Sequence, residues 1–242
     1  MNAIETKGLT KKYKDITAVN ALDLTVREGE LYGLLGVNGA GKSTTIKMLS
    51  TLTSPTGGDA KVLGHSVKTE AEKVKALINV SPQETAVAEK LSVRENLEFI
   101  SKIYGSSAKE AREKAGEMIE KFDMEQIAKQ KAGTLSGGWQ RRLSIAMALI
   151  SEPKVLFLDE PTLGLDVLAR RELWRVIEKL KGKITIILTT HYLEEAEALC
   201  DRIGIMAKAQ LKAEGTVAEL KALAGTDDFE EAFITIAEEA LK

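Results

Sequence analysis

The chain has 242 residues, of which 44% are hydrophobic and 29% charged, a composition typical of a globular protein with one large domain. The net charge of −2 argues against broad attraction to nucleic acid, so no nucleic-acid partner is expected. The apolar runs are much shorter than the roughly 20 residues of a membrane-spanning helix, and residues 1–5 lack a signal-peptide pattern. We therefore expect a cytoplasmic protein. The single cysteine, Cys200, has no partner for a disulfide or a metal site and is assigned no chemistry.

The first 35 residues predict an antiparallel β layer. Residues 4–13 are typical of a strand that ends in a basic turn, and residues 22–27 alternate apolar and polar side chains, as a half-buried strand does. Apolar residues 31–35 predict a third strand. Tyr13 could stack on an adenine ring or could cap the sheet as an exposed tyrosine.

A phosphate-binding loop follows directly, because residues 36–44 match G-x-x-x-x-G-K-[ST]. Glycines allow a tight turn that points N–H groups at an anion, and the next helix directs its positive dipole end to the same place. Lys42 would reach the terminal phosphates, and Ser43 would supply an oxygen to Mg²⁺. A plain glycine turn is the alternative, but the loop lies between a strand and a helix, as phosphate binding requires. The loop residues are Gly36, Val37, Asn38, Gly39, Ala40, Gly41, Lys42, Ser43 and Thr44.

The segment after this loop predicts short alternating elements. We expect a helix over residues 45–52, a brief strand at 61–64, a polar helix over 69–77 and a core strand at 78–80. His65 is predicted to be a loop residue, since no second side chain with metal-ligand spacing is near.

Residues 84–150 are charged, poor in glycine and predicted to be helical. Residues 92–95 and 107–110 both match the capping box that begins a helix. Residues 135–138 open a further helix, so that a serine hydroxyl and glycine N–H groups form a second anion site. A single chain has no evident need for two such sites.

The β core resumes with the apolar run 154–158, which is typical of a central parallel strand. Asp159 and Glu160 end this run, so one carboxylate can hold Mg²⁺ through water and the other can polarise an attacking water. The following pattern predicts a helix over 167–181 and a strand over 184–189 that leads to His191.

The C-terminal part predicts a helix, a hairpin and a helical tail. The expected elements are a helix over 193–199, hairpin strands at 203–206 and 210–213, a capped helix from Thr216 and a small helix within the acidic tail 227–242.

The order of these motifs resembles that of the nucleotide-binding subunits of the ATP-binding cassette superfamily, over essentially the whole chain. The shared motifs are the phosphate loop, Gln83, residues 135–138, residues 155–166 and His191. The resemblance implies a head-to-tail homodimer, or a heterodimer with a second such subunit. In it, each ATP lies between the phosphate loop of one subunit and the segment Ser136, Gly137, Gly138 of the other.

The resemblance also implies roles for individual residues. They are the magnesium-associated acid (Asp159), the general base (Glu160), the γ-phosphate and metal sensor (Gln83), the cross-dimer loop residue (Asp166), the γ-phosphate switch (His191) and the adenine-stacking aromatic (Tyr13). Local alternatives stay open, because Gln83 could be a strand-end polar residue and His191 a helix cap. Asp166 could be the N-cap of the next helix, with or without a cross-dimer role.

Two positions depart from the family pattern. Trp139 stands where the commonest form has glutamine, and the hairpin at residues 207–209 lacks the usual glycine. The first departure is not expected to disable the site, and the second puts only the turn geometry in question.

The expected fold is an α/β P-loop NTPase core with a mainly parallel central sheet, an N-terminal antiparallel β layer and an inserted helical subdomain. Residues 1–83 and 151–215 would form the core, 84–150 the insertion with the signature motif, and 216–242 the C-terminal helical tail of one domain.

The implied function is hydrolysis of ATP with Mg²⁺ to power transport, of the export type, through a separate integral-membrane permease. The chain would then be peripheral on the inner face of the cell membrane. The alternatives are a soluble cassette ATPase that acts on ribosomes or nucleic acid, and a module that senses ATP without turnover. Both Glu160 and His191 are present, which disfavours the sensing module.

Overall fold

A computed structural model describes residues 1–238 of the chain, and its strands form two sheets. The strands are β1 (Asn2–Tyr13), β2 (Ile16–Leu22), β3 (Thr25–Arg27), β4 (Leu31–Leu35), β5 (Gly57–Val62), β6 (His65–Ser66), β7 (Ile78–Ser81), β8 (Val155–Asp159), β9 (Thr185–Thr190), β10 (Arg202–Ala207) and β11 (Gln210–Gly215).

The helices alternate with these strands, except for a helical run between β7 and β8. They are α1 (Lys42–Leu49), α2 (Ala71–Lys75), α3 (Val93–Ile103), α4 (Ala108–Lys121), α5 (Gly137–Leu149), α6 (Val167–Glu178), α7 (Leu193–Leu199), α8 (Val217–Ala224) and α9 (Phe229–Glu238). The two predicted capping boxes are confirmed, because Ser92 and Ser107 each exchange hydrogen bonds with the glutamate three residues later.

The smaller sheet is antiparallel and has the order β2-β1-β5-β6, with β3 pairing with β1. The single strand predicted over residues 22–27 is wrong, because β2 ends at Leu22 and β3 begins at Thr25. Between them, the Asp23 carboxylate accepts a hydrogen bond from the backbone N–H of Gly8 at 2.7 Å. Buried and exposed side chains continue to alternate across this break, with Leu24 in the core. The sequence pattern therefore predicts one continuous strand.

The larger sheet has the order β11-β10-β4-β9-β8-β7 and is parallel except for the β10–β11 hairpin. This arrangement confirms the predicted fold class. The carboxyl ends of β4, β7, β8 and β9 lie at one edge, which is where ligands bind in open parallel sheets. The phosphate loop, Gln83, Glu160 and His191 all follow these strand ends.

Apolar side chains fill the space on both sides of the larger sheet. One cluster joins it to α3–α6 and a second joins it to the smaller sheet. A third contains Phe229, Ala232 and Ile236 of α9, packed with Ile203 and Ile205 of β10. The predicted tail helix therefore docks on the outer part of the larger sheet, and the rest of that prediction, residues 239–242, falls outside the described residues.

Two local predictions concern turns. His65 is not a loop residue as predicted: it begins β6, and its Nδ1 lies 3.1 Å from Oε1 of Glu70. The hairpin without glycine turns through Lys208 and Ala209, which adopt φ values of 48° and 63°. These left-handed conformations give the turn that glycine usually provides.

Within residues 1–238, none of the helices combines the length and the apolar character needed to cross a bilayer.

Candidate active site

The phosphate loop connects β4 to α1, and its backbone passes too close to neighbouring strands for side chains at two positions. A Cβ on Gly36 would lie 2.3 Å from the carbonyl oxygen of Met206. A Cβ on Gly41 would lie 2.4 Å from the carbonyl oxygen of Ala18, and its φ of 105° also disfavours any side chain. The two glycines therefore fix the course of the loop at both ends.

The side chain of Lys42 points back to the start of this loop and is only 4% exposed. Its Nζ donates to the carbonyl oxygens of Gly36 at 2.7 Å and Val37 at 3.2 Å, and it lies 3.5 Å from Oε1 of Glu160. The ammonium group thus contacts three oxygen atoms, two of the loop backbone and one of Glu160. This position suits a cation that binds terminal phosphates.

Asp159 ends β8 and forms a pair of oxygen contacts that suit Mg²⁺. Its Oδ1 accepts hydrogen bonds from the hydroxyl of Ser43 at 2.9 Å and from that of Thr189 at 2.5 Å. The described residues contain no group of three or more His, Cys, Asp or Glu side chains able to hold a metal by themselves. One carboxylate and one hydroxyl nevertheless fit Mg²⁺, which commonly completes its coordination with waters and substrate phosphates.

Glu160 follows Asp159 and has a strained backbone, with φ of 46°. Its N–H donates to both the carbonyl oxygen (3.1 Å) and the hydroxyl (3.0 Å) of Thr189, which hold this conformation. The 8% exposed Glu160 side chain lies between Lys42 and His191, with Oε2 3.2 Å from Nδ1 of His191. That contact is at ion-pair distance but lacks hydrogen-bond geometry, and Nδ1 has no hydrogen-bond partner among residues 1–238.

A cleft of about 560 Å³ joins these groups to the more distant predicted residues. Tyr13 lines it, is 45% exposed, and has Nζ of Lys11 4.9 Å from its ring centroid. Gln83, Glu160 and His191 line the same cleft. The structure therefore brings together most of the predicted site. The lining residues are Tyr13, Ile16, Thr17, Ala18, Asn38, Gly39, Ala40, Gly41, Lys42, Ser43, Thr44, Gln83, Glu160, Leu163 and His191.

The signature segment is not part of this cleft: of the described residues, Ser136, Gly137, Gly138 and Asp166 are absent from its lining. Ser136 is the N-cap of α5, yet its hydroxyl accepts no capping hydrogen bond within the described chain. The first turn of α5 packs on α6, with a Cβ built on Gly138 lying 3.0 Å from Cβ of Ala169. The serine hydroxyl is therefore not committed to its own helix.

Asp166 is the N-cap of α6, which confirms that alternative. Its Oδ1 accepts hydrogen bonds from the N–H groups of Leu168 at 2.9 Å and Ala169 at 3.0 Å. A cross-dimer role for the same residue stays a prediction.

Thr189 is the functional residue that the sequence analysis missed. It pairs directly with Asp159 across β8 and β9, is fully buried, and bonds both acidic residues. The available signal was the hydroxyl-bearing end of an apolar strand, but only the register of the two strands places that hydroxyl against Asp159.

Trp139 lies within α5, where its indole packs under a cation. The guanidinium carbon of Arg142 is 4.4 Å from the ring centroid, and the same guanidinium donates to Oε2 of Glu172 at 2.8 Å. Trp139 thus has a packing role in α5 beside the signature glycines.

Comparisons with known proteins agree with this geometry. The family model described as "ABC transporter" matches residues 19–163. The chain is 46% identical over 226 residues to the daunorubicin/doxorubicin resistance ATP-binding protein DrrA of Streptomyces peucetius, covering 93% of this chain and 68% of the relative. It is 42% identical over 239 residues to the probable multidrug ABC transporter ATP-binding protein YbhF of Escherichia coli K12, covering 96% of this chain and 41% of that relative.

Solved structures give the same answer. One described as the ATP-binding subunit of an ABC transporter has a TM-score of 0.84 and 29% identity, covering 97% of this chain and 99% of that chain. A dimeric post-hydrolysis state of the cassette MJ0796, bound to ADP and Pi, has a TM-score of 0.79 and 28% identity, covering 88% of this chain and 98% of that chain. These matches confirm the predicted resemblance, and the chain belongs to the ABC transporter family as an ATP-hydrolysing subunit.

Proposed function

We propose that this chain powers export through a separate integral-membrane permease, as a peripheral protein on the inner face of the cell membrane. The observation that carries the proposal is the similarity to ATP-binding proteins of drug resistance and multidrug transport, in a chain whose cleft is lined by Lys42, Gln83, Glu160 and His191. A drug-like small molecule is the proposed cargo, because the relatives are named for daunorubicin and doxorubicin resistance and for multidrug transport.

Nucleotide binding is assigned to the loop and to Tyr13. The loop N–H groups and the Lys42 ammonium bind the phosphates, and Tyr13 lies where it can stack on the base. The oxygens of Ser43 and Asp159 would hold Mg²⁺, with the side-chain oxygen of Gln83, which lines the same cleft, as a further ligand. When bound, this ion supplies positive charge that offsets the charge developing on the phosphates.

Hydrolysis is assigned to Glu160 as the general base. Its carboxylate accepts a proton from the attacking water as the water oxygen bonds to the γ-phosphorus, and the bond to ADP breaks. The backbone N–H of Glu160 donates to the hydroxyl and the carbonyl oxygen of Thr189, and Lys42 and His191 flank the Glu160 carboxylate. His191, whose Nδ1 lies 3.2 Å from Oε2 of Glu160, would orient the water and the γ-phosphate beside the base.

The second anion site is explained by a head-to-tail dimer, either of identical copies or with a related subunit. Ser136, Gly137 and Gly138 would bind the γ-phosphate held by the partner, and Asp166 would face the partner across the seam. The uncommitted hydroxyl of Ser136 supports this assignment. The proposed helical subdomain that contacts the permease consists of residues 84–150. The core consists of residues 1–83 and 151–215, and the tail consists of residues 216–242.

The test is purification of the tagged full chain from membranes of its own host after detergent extraction. We expect co-purification of an integral-membrane protein, and ATP hydrolysis by the complex. The matched control is Glu160→Gln, which should keep the partner while hydrolysis falls by about 10²–10⁴-fold, the usual contribution of a general base. Recovery with ribosomes or nucleic acid, and not with a membrane protein, would overturn the proposal.

A further inference from the structure

Glu195 is a buried carboxylic acid that the proposed hydrolysis does not use. It belongs to α7, four residues after His191, and it is not among the described residues that line the nucleotide cleft. Its Oε1 accepts a hydrogen bond from Nε1 of Trp174 in α6 at 3.0 Å. The nearby guanidinium of Arg170 pairs with Glu194 instead, at 3.3 Å. A buried carboxyl without a cation partner is costly, so its presence calls for an explanation other than stability.

This carboxyl adjoins the two segments that carry the proposed catalytic side chains. Burial raises the pKa of Glu195, and interactions with the hydroxyls of Thr190 and Thr162 oppose that rise. Thr190 directly precedes His191. Thr162 is the second residue after Glu160, and its Oγ1 is buried with no other hydrogen-bond partner among residues 1–238. The carboxyl is therefore placed between the two segments.

The turn that carries His191 is closed by one of these threonines. The hydroxyl of Thr190 accepts a hydrogen bond from the N–H of Tyr192 at 3.0 Å, which fixes the backbone on both sides of His191. The imidazole itself is held less directly, since its Nδ1 has no hydrogen-bond partner among the described residues. Its ring contacts that of Tyr192, with 4.2 Å between the two centroids. The position of the imidazole therefore depends on the backbone of this turn.

Helix α6 provides the fixed end of the connection. The indole of Trp174 packs against the apolar cluster between the larger sheet and α3–α6. The guanidinium carbon of Arg170 lies 5.6 Å from the ring centroid of Trp174 and 5.4 Å from that of Tyr192, distances typical of cation–π contacts. The hydrogen bond from Trp174 to Glu195 joins this packed helix to the carboxyl. The carboxyl thus connects the turn of His191 to a helix whose position is set by the core.

We infer that Glu195 is a positioning residue that holds His191 beside Glu160 during hydrolysis. The geometry that it supports is the 3.2 Å separation between Nδ1 of His191 and Oε2 of Glu160. The inference rests on the roles proposed above for these two side chains. It adds that a residue outside the cleft determines how well they are aligned, while nucleotide binding does not depend on it.

The test is steady-state ATP hydrolysis by the purified full chain with Glu195→Met, which keeps an apolar side chain of similar length and removes both oxygens. We expect kcat to fall by about tenfold or more, since a misplacement of about 1 Å can cost about 10²-fold. KM should stay within about twofold, because Glu195 does not line the described part of the cleft. Glu195→Gln should keep kcat within about threefold of the wild type, because its amide offers an oxygen to Trp174 and N–H donors to the threonine hydroxyls.

A matched control lies on the same helix. Glu197 is exposed, and its carboxylate lies 3.3 Å from Nζ of Lys221 in α8, so Glu197→Met should leave kcat within about twofold of the wild type. If Glu195→Met does not fold, as judged by thermal unfolding, Trp174→Phe replaces it, because phenylalanine keeps a ring and removes only the Nε1 donor. That variant should lower kcat by about threefold or more with KM unchanged.

A double-mutant cycle in kcat separates positioning from a general loss of structure. If Glu195 acts through His191, Glu195→Met added to His191→Ala should lower kcat no further than His191→Ala alone. Losses that multiply, a Glu195→Met protein with the kcat of the wild type, or a Glu195→Gln protein as slow as Glu195→Met would each overturn the inference. A His191→Ala protein with the kcat of the wild type would instead refute the role of His191 in the proposed function, on which the inference rests.

Discussion

Thr189 is the residue whose replacement most directly tests how the two acidic side chains are held. Its hydroxyl donates to Asp159 and accepts from the N–H of Glu160, and the residue is fully buried. Thr189→Val keeps the shape and removes the hydroxyl. A hydrogen bond to a charged group contributes about 1.5–3 kcal/mol and a neutral one about 0.5–1.5 kcal/mol. The N–H of Glu160 keeps the carbonyl oxygen of Thr189 as a second acceptor, so the bond to Asp159 dominates and we expect a loss of about 1.5–3 kcal/mol.

This loss has two measurable consequences. The unfolding midpoint should fall by roughly 3–12 °C, since 1 kcal/mol corresponds to about 2–4 °C in a protein of this size. The kcat for ATP should fall by about tenfold or more with a smaller change in KM, because Glu160 and Asp159 lose their positions while the phosphate loop does not.

Thr189→Ser is the matched control, since it keeps the hydroxyl and loses one methyl group, at a cost of about 0.8 kcal/mol. Urea unfolding and steady-state hydrolysis measure both quantities. The reasoning would be refuted if Thr189→Val matched the wild type in stability and kcat, or if Thr189→Ser lost as much as Thr189→Val.

Three further predictions concern single side chains. Lys42→Ala should weaken MgATP binding by about 10²-fold, because the loop loses its buried cation; unchanged affinity in a fluorescent-nucleotide titration would contradict this. Gly41→Ala should lose binding and thermal stability together, since its Cβ would strike the Ala18 carbonyl at an unfavourable φ; a crystal structure with an unmoved loop would disprove it. Burial raises the pKa of Glu195, whose carboxylate accepts from Nε1 of Trp174 at 3.0 Å. In the unfolded chain the Glu195 carboxyl loses its proton from about pH 4.3 upward, whereas in the native state it keeps that proton to higher pH. The free energy of unfolding therefore falls as the pH rises from about 4.3 to the raised pKa. The unfolding free energy of Glu195→Gln relative to wild type should rise over that window in urea titrations, and a flat or falling difference would contradict the assignment.

Much of the site could be predicted because many of its residues lie close together in short segments of the sequence. A phosphate loop needs glycines at fixed spacing, and Gly36 and Gly41 stand where the backbone has no room for a Cβ. The capping boxes at Ser92 and Ser107 were equally visible, since each involves only four successive residues. Such local rules are carried by the sequence itself.

Contacts between segments could not be predicted in the same way. Thr189 reaches Asp159 only because β8 and β9 are adjacent and in register, and Arg141 reaches Pro82 and Gln83 across more than 50 positions of the chain. The prediction of one continuous strand over residues 22–27 failed for a related reason. Burial alternates there whether or not the backbone continues as a strand, and the hydrogen bond from the N–H of Gly8 to Asp23 at the break joins residues 15 positions apart.

The central claim is that ATP is held between two subunits, and sedimentation equilibrium of the Glu160→Gln protein tests it most directly. The account predicts a monomer without nucleotide or with MgADP, and a dimer with MgATP that holds two nucleotides. A Glu160→Gln protein that binds MgATP with full occupancy yet sediments as a monomer at every concentration would contradict the account.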